Sequence, residues 1–397
     1  MAALYSIEEA LSAILARVEP LPSERISLAD ASGRILAADA PATTDLPPFA
    51  SSAMDGFAIR AADAPGSLTV VDRAAAGRPA GRVIAAGEAI EIATGAVVPE
   101  GADSVAPIEH VVEHDNTIDI GSSVAPGANV RPQGSDVRAG EVVLAAGCRL
   151  GTAQIGALAA AGLAYVLCTR RPNVSILGTG TELRKPGSKL GPGQIYESNG
   201  PMLETALRRV GAVVTRLEAV ADDRDEHRGA LERGLKADVL VTSGGVSVGA
   251  HDLVRNVERE LGVEEVFWGV AVRPGKPLAF GIRGTTLVFG LPGNPVSSLV
   301  GCALFVAPAL AALQGATAPG PSYSVGMLAA PLRQSENRDD FVRATSTLTA
   351  DGILLRPVSG QESHMIVRAA GADALVHVPR GTGELAGGSR VRYLRLD

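Results

Sequence analysis

Cysteine is scarce in this chain of 397 residues: it occurs three times, at Cys148, Cys168 and Cys302. These cysteines are far apart and show no Cys-x-x-Cys spacing, which argues against a zinc site and against a disulfide framework. We therefore expect reduced thiols, as in cytosolic proteins. Aromatic residues are also rare, at 3%, whereas hydrophobic residues reach 46%. The cores should consequently be built from small aliphatic side chains.

Excess positive charge and long apolar runs are missing too. The formal net charge is −7 and the pI is near 5.5, so the chain lacks the basic face that nucleic-acid binding requires. The opening residues, MAALYSIEEA, carry neither the basic nor the apolar region of a signal peptide. The most apolar stretch, 299–313, is shorter than the roughly 20 residues of a membrane span and contains Pro308. These absences predict a soluble, cytoplasmic protein without nucleic-acid or membrane partners.

The pattern of apolar residues predicts several domains, as the length also does. Ser6 and Glu9 form a capping box before an amphipathic helix. Short β-type runs separated by Gly and Pro fill residues 39–131 and predict a β-rich domain. Strands and helices alternate over 172–315, which predicts a parallel sheet covered by helices on both faces. About 75 C-terminal residues return to short strands, typical of a small barrel or sandwich.

Three glycine-rich turns follow predicted strands of the alternating region. They are LGTGTEL, TSGGVSVGAHD and GLPGNPVSS, and in the last Asn294 can cap a helix that begins at Pro295. Ligands bind at the carboxyl ends of strands in such sheets, and glycine lets backbone N–H groups approach an anion. A single turn of this kind could simply be a tight strand-to-helix connection. Three of them together favour a phosphate-binding site.

Charged residues near these turns suggest further chemistry. Carboxylates at Glu182, Asp222 and Asp252 would lie beside bound phosphate, which favours a bridging Mg²⁺, although the aspartates could instead be helix caps. Arg273 and Lys276, in VRPGKP, are cations on a turn braced by two prolines and suit an oxyanion. Taken alone, the residues predict an enzyme that uses a phosphorylated ligand and a divalent cation.

Eight motifs occur in an order that resembles one family. They are SSAMDGFA, ATGAVVPEGAD, RPQGSD, GTGTEL, GQIYESNGPML, TSGGVSVGAHD, RPGKP and GLPGNPVSS. Together they are similar to the molybdopterin molybdenumtransferases, the MoeA-type molybdenum insertases, to which a domain of gephyrin is related. The resemblance covers nearly the whole chain.

The resemblance implies a multidomain fold with α/β and β-rich parts. An α/β molybdopterin-binding domain with a parallel sheet would span 1–19 and 168–317, and a small connecting α/β domain would span 20–45 and 137–167. A β-rich second domain would span 46–136 and face the partner subunit of a homodimer. A C-terminal β-barrel would span 320–397.

The resemblance also implies an activity and its residues. The enzyme would transfer molybdenum from molybdate to adenylylated molybdopterin, release AMP and use Mg²⁺. The implied catalytic residues are Asp55, Thr94, Asp136, Asp252 and Lys276. The implied substrate-binding residues are Gly180, Ser243, Gly244, Gly245, Ser247, Arg273, Pro292, Asn294, Pro295, Arg343 and Ser363. The implied metal ligands are Glu182, Asp222 and Asp136.

The sequence departs from some relatives at a few positions. Gly269 and Arg273 stand where several of them carry lysine, which shifts positive charge around the oxyanion. GAHD replaces a more acidic segment, and we interpret His251 as a surface residue.

Possible protein partners are the molybdopterin adenylyltransferase and proteins that deliver the cofactor to molybdoenzymes.

Two alternative functions stay open on the sequence alone. ATP-dependent adenylylation of molybdopterin would need only a domain like residues 172–315, so the β-rich domain with Asp55 and Asp136 argues against it. A non-catalytic dimeric scaffold is the second alternative, because the related domain of gephyrin dimerises and binds receptor tails. The presence of Asp55, Asp136, Asp252 and Lys276 argues against a decayed active site.

Overall fold

A computed structural model describes residues 4–220, 223–245 and 253–396. The chain divides into two compact units. The first comprises Met1–Glu24, Gly33–Ala37 and Cys168–Asp397, and the second comprises Arg25–Ser32 and Ala38–Leu167. The division into four domains stays a prediction.

A six-stranded sheet forms the centre of the first unit. Its strands, in spatial order, are Val213–Arg216, Asn173–Gly178, Val239–Ser243, Thr286–Leu291, Ala279–Arg283 and Glu264–Trp268. The first four run parallel, as the alternating pattern predicts.

The sheet departs from the predicted parallel arrangement at one edge. Ala279–Arg283 pairs antiparallel with both of its neighbours. Only two residues, including Gly284 at φ 59°, connect it to Thr286–Leu291. A parallel neighbour would need a crossover of a dozen or more residues, so this short connection dictates a hairpin.

Helices cover this sheet. They are Ile7–Leu15, Asn199–Arg209, Arg224–Gly234, Leu253–Glu260, Pro295–Gly301 and Ala307–Leu313, with a π-helical turn at Cys302–Val306. The predicted capping box is confirmed, because the Glu9 amide donates to Ser6 Oγ over 3.1 Å and the Ser6 amide donates to Glu9 Oε2 over 2.7 Å. Asp223 caps the Arg224 helix by accepting from two amides.

Residues Pro295–Leu313 form one continuous helix that is long and apolar enough to cross a membrane, and 72% of it is buried inside the protein. Phe305 of this helix and Phe289 of the sheet belong to the same main core. Core packing therefore explains why the helix is apolar. Pro308 lacks an N–H and crowds the carbonyl four residues earlier, which accounts for the π-helical turn just before it.

The C-terminal region of the first unit is a closed barrel, which confirms the barrel that the family resemblance implies. Its five strands are Tyr323–Leu328, Asp339–Thr349, Gly352–Pro357, Ala374–Val378 and Arg390–Arg395. The Asp339–Thr349 strand closes it by pairing with both Gly352–Pro357 and Ala374–Val378. The short strand Val272–Arg273 adds to the same strand, which fixes the RPGKP turn against the barrel.

A second six-stranded sheet forms the second unit, so the predicted β-rich region is confirmed. Its strands, in spatial order, are Ser104–Pro107, Gly56–Ile59, Glu88–Ile92, Gly66–Ala74, Thr117–Ile120 and Val111–Glu113. Phe57, Ile59 and Ile118 pack in one of its cores. The predicted helix after it spans Thr152–Ala160.

Shorter elements complete the chain. The remaining strands are Ser23–Ser27, Ala40–Pro41, Ser51–Ser52, Val130–Arg131, Val142–Leu144, Tyr165–Thr169, Leu183–Arg184, Ile195–Tyr196, Leu332–Arg333 and Glu384–Leu385. The remaining helical turns are Leu28–Asp30, Ala61–Asp63, Ile108–His110 and Ile366–Ala369.

A bidentate ion pair fixes the amino-terminal edge of the α/β sheet. Arg170 donates from Nη1 and Nη2 to the two oxygens of Asp238, each over 2.7 Å. The amide of Asn173 donates to the same carboxylate over 2.8 Å. Burial raises the pKa of Asp238, but the bonds from Arg170 and Asn173 outweigh it, so the pKa is lowered overall.

Replacing Asp238 by Asn should lower the free energy of unfolding by about 1–3 kcal/mol at neutral pH, because charge-assisted bonds are lost. Because the pKa of Asp238 is lowered in the folded state, its charged carboxylate stabilises the folded protein fully at pH values above the unfolded-state pKa of about 3.9. This stabilisation is lost as the pH falls through the folded-state pKa. Urea unfolding of the unaltered protein and of Asp238→Asn should therefore show a difference in the free energy of unfolding at neutral pH that becomes smaller towards about pH 3. A difference in the free energy of unfolding that is the same at both pH values would contradict this explanation.

Candidate active site

A cavity of about 720 Å³ opens at the carboxyl ends of the central strands of the α/β sheet. It is lined by the three glycine-rich turns. The structure thus brings together the following predicted residues: Gly180, Glu182, Ser243, Gly244, Gly245, Pro292, Asn294 and Pro295. We call this space the glycine cavity.

The turn at Gly244 approaches the neighbouring turn at Thr179 too closely for a side chain. Gly244 has φ 98°, and a Cβ there would lie 2.7 Å from the carbonyl oxygen of Thr179. A Cβ on Gly293 would lie 3.7 Å from the Cα of Gly244. Glycine is therefore required at Gly244 both by its backbone conformation and by its neighbours. The amides of Gly180 and Gly244 donate to the carbonyls of Val220 and Leu291, so these glycines make room for a ligand without offering it their own N–H groups.

Asn199, which the sequence analysis missed, joins two of these turns. Its Nδ2 donates to Ser243 Oγ and to the Gly293 carbonyl, each over 2.8 Å. The side chain is buried, and its Oδ1 has no hydrogen-bond partner among the described residues. The available signal was the motif GQIYESNGPML, which contains Asn199.

Two carboxylates line the glycine cavity, the predicted Glu182 and the unpredicted Glu197. Glu197 Oε1 accepts from the Gly200 amide over 2.6 Å. The ranges that the structure describes contain no group of three or more His, Cys, Asp or Glu side chains placed to hold a metal ion. Asp136, a predicted third ligand, belongs to the other compact unit.

Four residues named from the sequence lie outside the described residues: Asp222, Ser247, His251 and Asp252. The structure therefore places none of them.

A second cavity, of about 790 Å³, adjoins the first. The two share Pro277, Pro292, Asn294 and His364 as lining residues. Three cationic side chains line the second cavity, the predicted Arg273 and Lys276 and the unpredicted Arg338. We call it the cationic cavity.

Arg273 and Lys276 differ in their surroundings. Arg273 forms an ion pair with the buried carboxylate of Asp340, to which Ser335 Oγ also donates over 3.1 Å. Lys276 has no side-chain hydrogen bond or ion pair within the described part of the chain. Its ammonium group is thus available to an anionic ligand.

Asn294 occupies the predicted N-cap position of the Pro295 helix, but its side chain does not cap it. Instead, Asn294 Nδ2 donates to Ser363 Oγ over 2.9 Å, and the Val296 amide donates to the Ser363 carbonyl over 3.1 Å. The expected capping is wrong because Ser363, in a loop of the C-terminal region, accepts hydrogen bonds from both the Asn294 side chain and the Val296 amide. Ser363 itself lines the cationic cavity, as predicted for a substrate-binding residue.

Arg343, predicted to bind the substrate, lines neither cavity in this structure. It is fully buried, and its guanidinium donates to the carbonyls of Gly360, Glu362 and Met365 and to the side chain of Gln361. A side chain engaged in this way contacts the loop that follows residue 359 and not the cavity.

The second unit carries the remaining predicted residues, all exposed. Asp55 and Thr94 come together, because the Thr94 amide donates to Asp55 Oδ1 over 2.8 Å. Asp136 follows Gly134, which has φ 67°, and its amide donates to the Leu46 carbonyl. Its carboxylate has no hydrogen-bond partner among the residues that the structure describes.

An α/β sheet with a glycine-lined cavity beside a cationic one is typical of proteins that bind phosphorylated or other anionic ligands. Family models for the MoeA N-terminal region (domain I and II), a probable molybdopterin binding domain and the MoeA C-terminal region (domain IV) match residues 5–162, 175–312 and 325–396.

Curated relatives match along the whole chain. A molybdopterin molybdenumtransferase of Staphylococcus epidermidis is 33% identical and one of Haemophilus influenzae is 34% identical. The matches cover 99% and 98% of this chain and 96% and 98% of the relatives. A crystal structure of the molybdopterin biosynthesis MoeA protein from Pyrococcus horikoshii matches with a TM-score of 0.86 at 28% identity, over 99% of this chain and 100% of that one. The chain belongs to the molybdopterin molybdenumtransferase family, whose members are transferases of molybdenum cofactor biosynthesis.

Proposed function

We propose that this enzyme transfers molybdenum from molybdate to adenylylated molybdopterin and releases AMP. The observation that carries the proposal is the shared wall of the two cavities, formed by Pro277, Pro292, Asn294 and His364. A phosphorylated ligand in the glycine cavity and an oxyanion in the cationic cavity would lie side by side. Such proximity accounts for much of the rate in group-transfer enzymes.

The glycine cavity suits the phosphates of the ligand. Its turns lie at one sheet edge, and the long helix from Pro295 adds the partial positive charge of its amino terminus. Gly180, Gly244 and Gly245 all have positive φ angles, which supports close approach of the backbone to phosphate.

The cationic cavity suits molybdate, which is a dianion. Arg273, Lys276 and Arg338 can supply charge-assisted hydrogen bonds to its oxygens. Asp340 fixes the direction of Arg273, so this cation would be oriented before the ligand arrives.

A molybdate oxygen is proposed to attack the AMP phosphorus. The bond between that phosphorus and the bridging oxygen of the molybdopterin phosphate breaks, and the attacking oxygen leaves with AMP when molybdenum bonds to the two sulfurs. The protons of the two thiols pass to solvent. Oxygen-18 from labelled molybdate should then appear in the released AMP, and unlabelled AMP would refute this step.

Mg²⁺ is proposed to neutralise the phosphates. Mg²⁺ commonly uses one or two carboxylates together with substrate phosphates, and Glu182 and Glu197 line the cavity where those phosphates would lie. The donor set therefore fits the ion.

Asp55, Thr94 and Asp136 are proposed to take part through the partner subunit of a cytoplasmic homodimer, as the family resemblance implies. The Thr94–Asp55 hydrogen bond supports a defined acidic turn there. Sedimentation of the purified protein at the mass of a single subunit would contradict this part of the proposal.

The direct test supplies adenylylated molybdopterin and follows AMP by chromatography. AMP should be released only when molybdate is present, with molybdenum appearing on the pterin. Consumption of ATP with molybdopterin alone would instead favour the adenylyltransferase alternative. No reaction under either condition, with a dimer intact, would favour the scaffold.

A further inference from the structure

His364 lies in the wall between the two cavities and lines both of them. Within residues 4–220, 223–245 and 253–396 it is the one histidine that lines either cavity. A side chain in this wall would face the pterin on one side and molybdate on the other. It would therefore lie where molybdenum and the pterin meet.

The main chain at His364 is fixed, whereas its imidazole is free. The carbonyl of the preceding Ser363 accepts from the Val296 amide over 3.1 Å, and the His364 carbonyl accepts from the Ile366 amide over 2.9 Å. The imidazole has no hydrogen bond or ion pair within the described part of the chain, and the residue is exposed. The ring can therefore exchange a proton both with a ligand and with solvent.

Molybdenum transfer needs a proton acceptor at this wall. Each pterin thiol must lose its proton before its sulfur bonds to molybdenum, because the thiolate and not the thiol is the metal ligand. An ordinary thiol with a pKa of about 8.5 is mostly protonated at neutral pH. The two sulfurs join the pterin to the metal, so they would lie where the two cavities meet.

The other ionisable side chains of the two cavities are less suited to accept this proton. Among the described residues they are Glu182, Glu197 and Tyr196 in the glycine cavity and Arg273, Lys276, Arg338, Asp340 and Glu362 in the cationic cavity. Ammonium and guanidinium groups have no acceptor. Carboxylates are weaker bases than imidazole, and Asp340 is also paired with Arg273. The Tyr196 hydroxyl donates to the Ser188 carbonyl. Imidazole is therefore the lining base best suited to neutral pH.

We propose that His364 is a catalytic residue that acts as the general base for the pterin thiols. One ring nitrogen accepts the proton of a thiol, and the electron pair of the S–H bond stays on sulfur and forms the S–Mo bond. The proton passes from the ring to solvent, and the second thiol reacts in the same way. The bond between molybdenum and the AMP oxygen then breaks, and its electron pair leaves with AMP. This inference rests on the proposed function, which supplies the pterin and molybdate.

Replacing His364 by Gln should lower the rate of molybdenum transfer about tenfold at about pH 7, because glutamine is polar but accepts no proton. The difference in rate should become smaller above about pH 9, where the thiols ionise without a base. A single turnover at saturating molybdate, followed by the absorbance of the molybdenum–dithiolene product, gives the rate at each pH. A purely structural role would lower the rate by the same factor at every pH.

His364→Gly with added imidazole is a second, independent test. Free imidazole should restore the rate of this variant, and more basic imidazoles should restore it further. The matched control is His114→Gln, an exposed histidine of the second unit that pairs with Asp119. This control should keep the full rate at every pH.

Either of two results would overturn the inference. They are a rate difference for His364→Gln that does not change with pH, and a glycine variant that imidazole does not restore. If the unaltered enzyme releases no AMP with molybdate, the proposed function itself fails, which is a separate outcome.

Discussion

Replacing Lys276 by Met should reduce molybdenum transfer by about 100- to 1,000-fold, the range seen when one preorganised donor to a developing or bound oxyanion is removed. Lys276 lines the cationic cavity and has no side-chain partner in the described ranges, so no internal ion pair is broken. Methionine keeps most of the apolar stem, which limits any packing loss. AMP release with saturating adenylylated molybdopterin is the measurement.

Lys236→Met is the matched control for this prediction. Lys236 is exposed and follows the helix Arg224–Gly234, at the sheet edge opposite the cavities. It should keep full activity and the same melting temperature. If Lys276→Met retained more than about half of the activity, the assignment of the cationic cavity to the reacting oxyanion would be wrong.

Replacing Gly244 by Ala should lower AMP release at least about tenfold and destabilise the protein by about 1–3 kcal/mol. The residue has φ 98°, which costs a non-glycine residue about 1–2 kcal/mol. The new methyl group would also lie 2.7 Å from the Thr179 carbonyl oxygen, so the turns of the glycine cavity must separate.

Gly284→Ala is the control that distinguishes the effect of backbone strain from the effect of a changed cavity shape. Gly284 has φ 59°, and a Cβ there meets nothing within 4 Å. It connects two strands of the same sheet at the strand ends that lie opposite the cavity. Its replacement should therefore lower the free energy of unfolding by about 1 kcal/mol without reducing activity. Equal losses of activity in the two variants would mean that stability, and not the shape of the cavity, limits the reaction.

Much of the fold could be predicted because local patterns determine it. Alternating strands and helices over 172–315 predicted the α/β sheet, and the short C-terminal strands predicted a small β structure. The reversal of Ala279–Arg283 has a local signal as well, since no helix separates it from Thr286–Leu291. The residue pattern alone left barrel and sandwich open, because closure depends on the Asp339–Thr349 strand pairing on both of its sides, whereas the family resemblance predicted the barrel.

The candidate site could be predicted only in part. Glycine turns carry their signal in the sequence, which is why Gly180, Gly244 and Gly245 were found. Arg338 belongs to the cationic cavity through long-range contacts that leave no local pattern, whereas Glu197 and Asn199 lie in the motif GQIYESNGPML but were not singled out there. Arg343 was assigned to the ligand through the family resemblance, and a sequence does not show which way a side chain faces.

The central claim is that a phosphorylated pterin and molybdate occupy adjoining cavities that share Pro292 and His364. Anomalous diffraction at the molybdenum absorption edge, from crystals of the full chain grown with molybdate and AMP, tests this most directly. We expect the molybdenum peak among Arg273, Lys276 and Arg338, with the AMP phosphate at the glycine turns beside it. Molybdenum bound elsewhere on the protein, with the cationic cavity empty, would contradict the account.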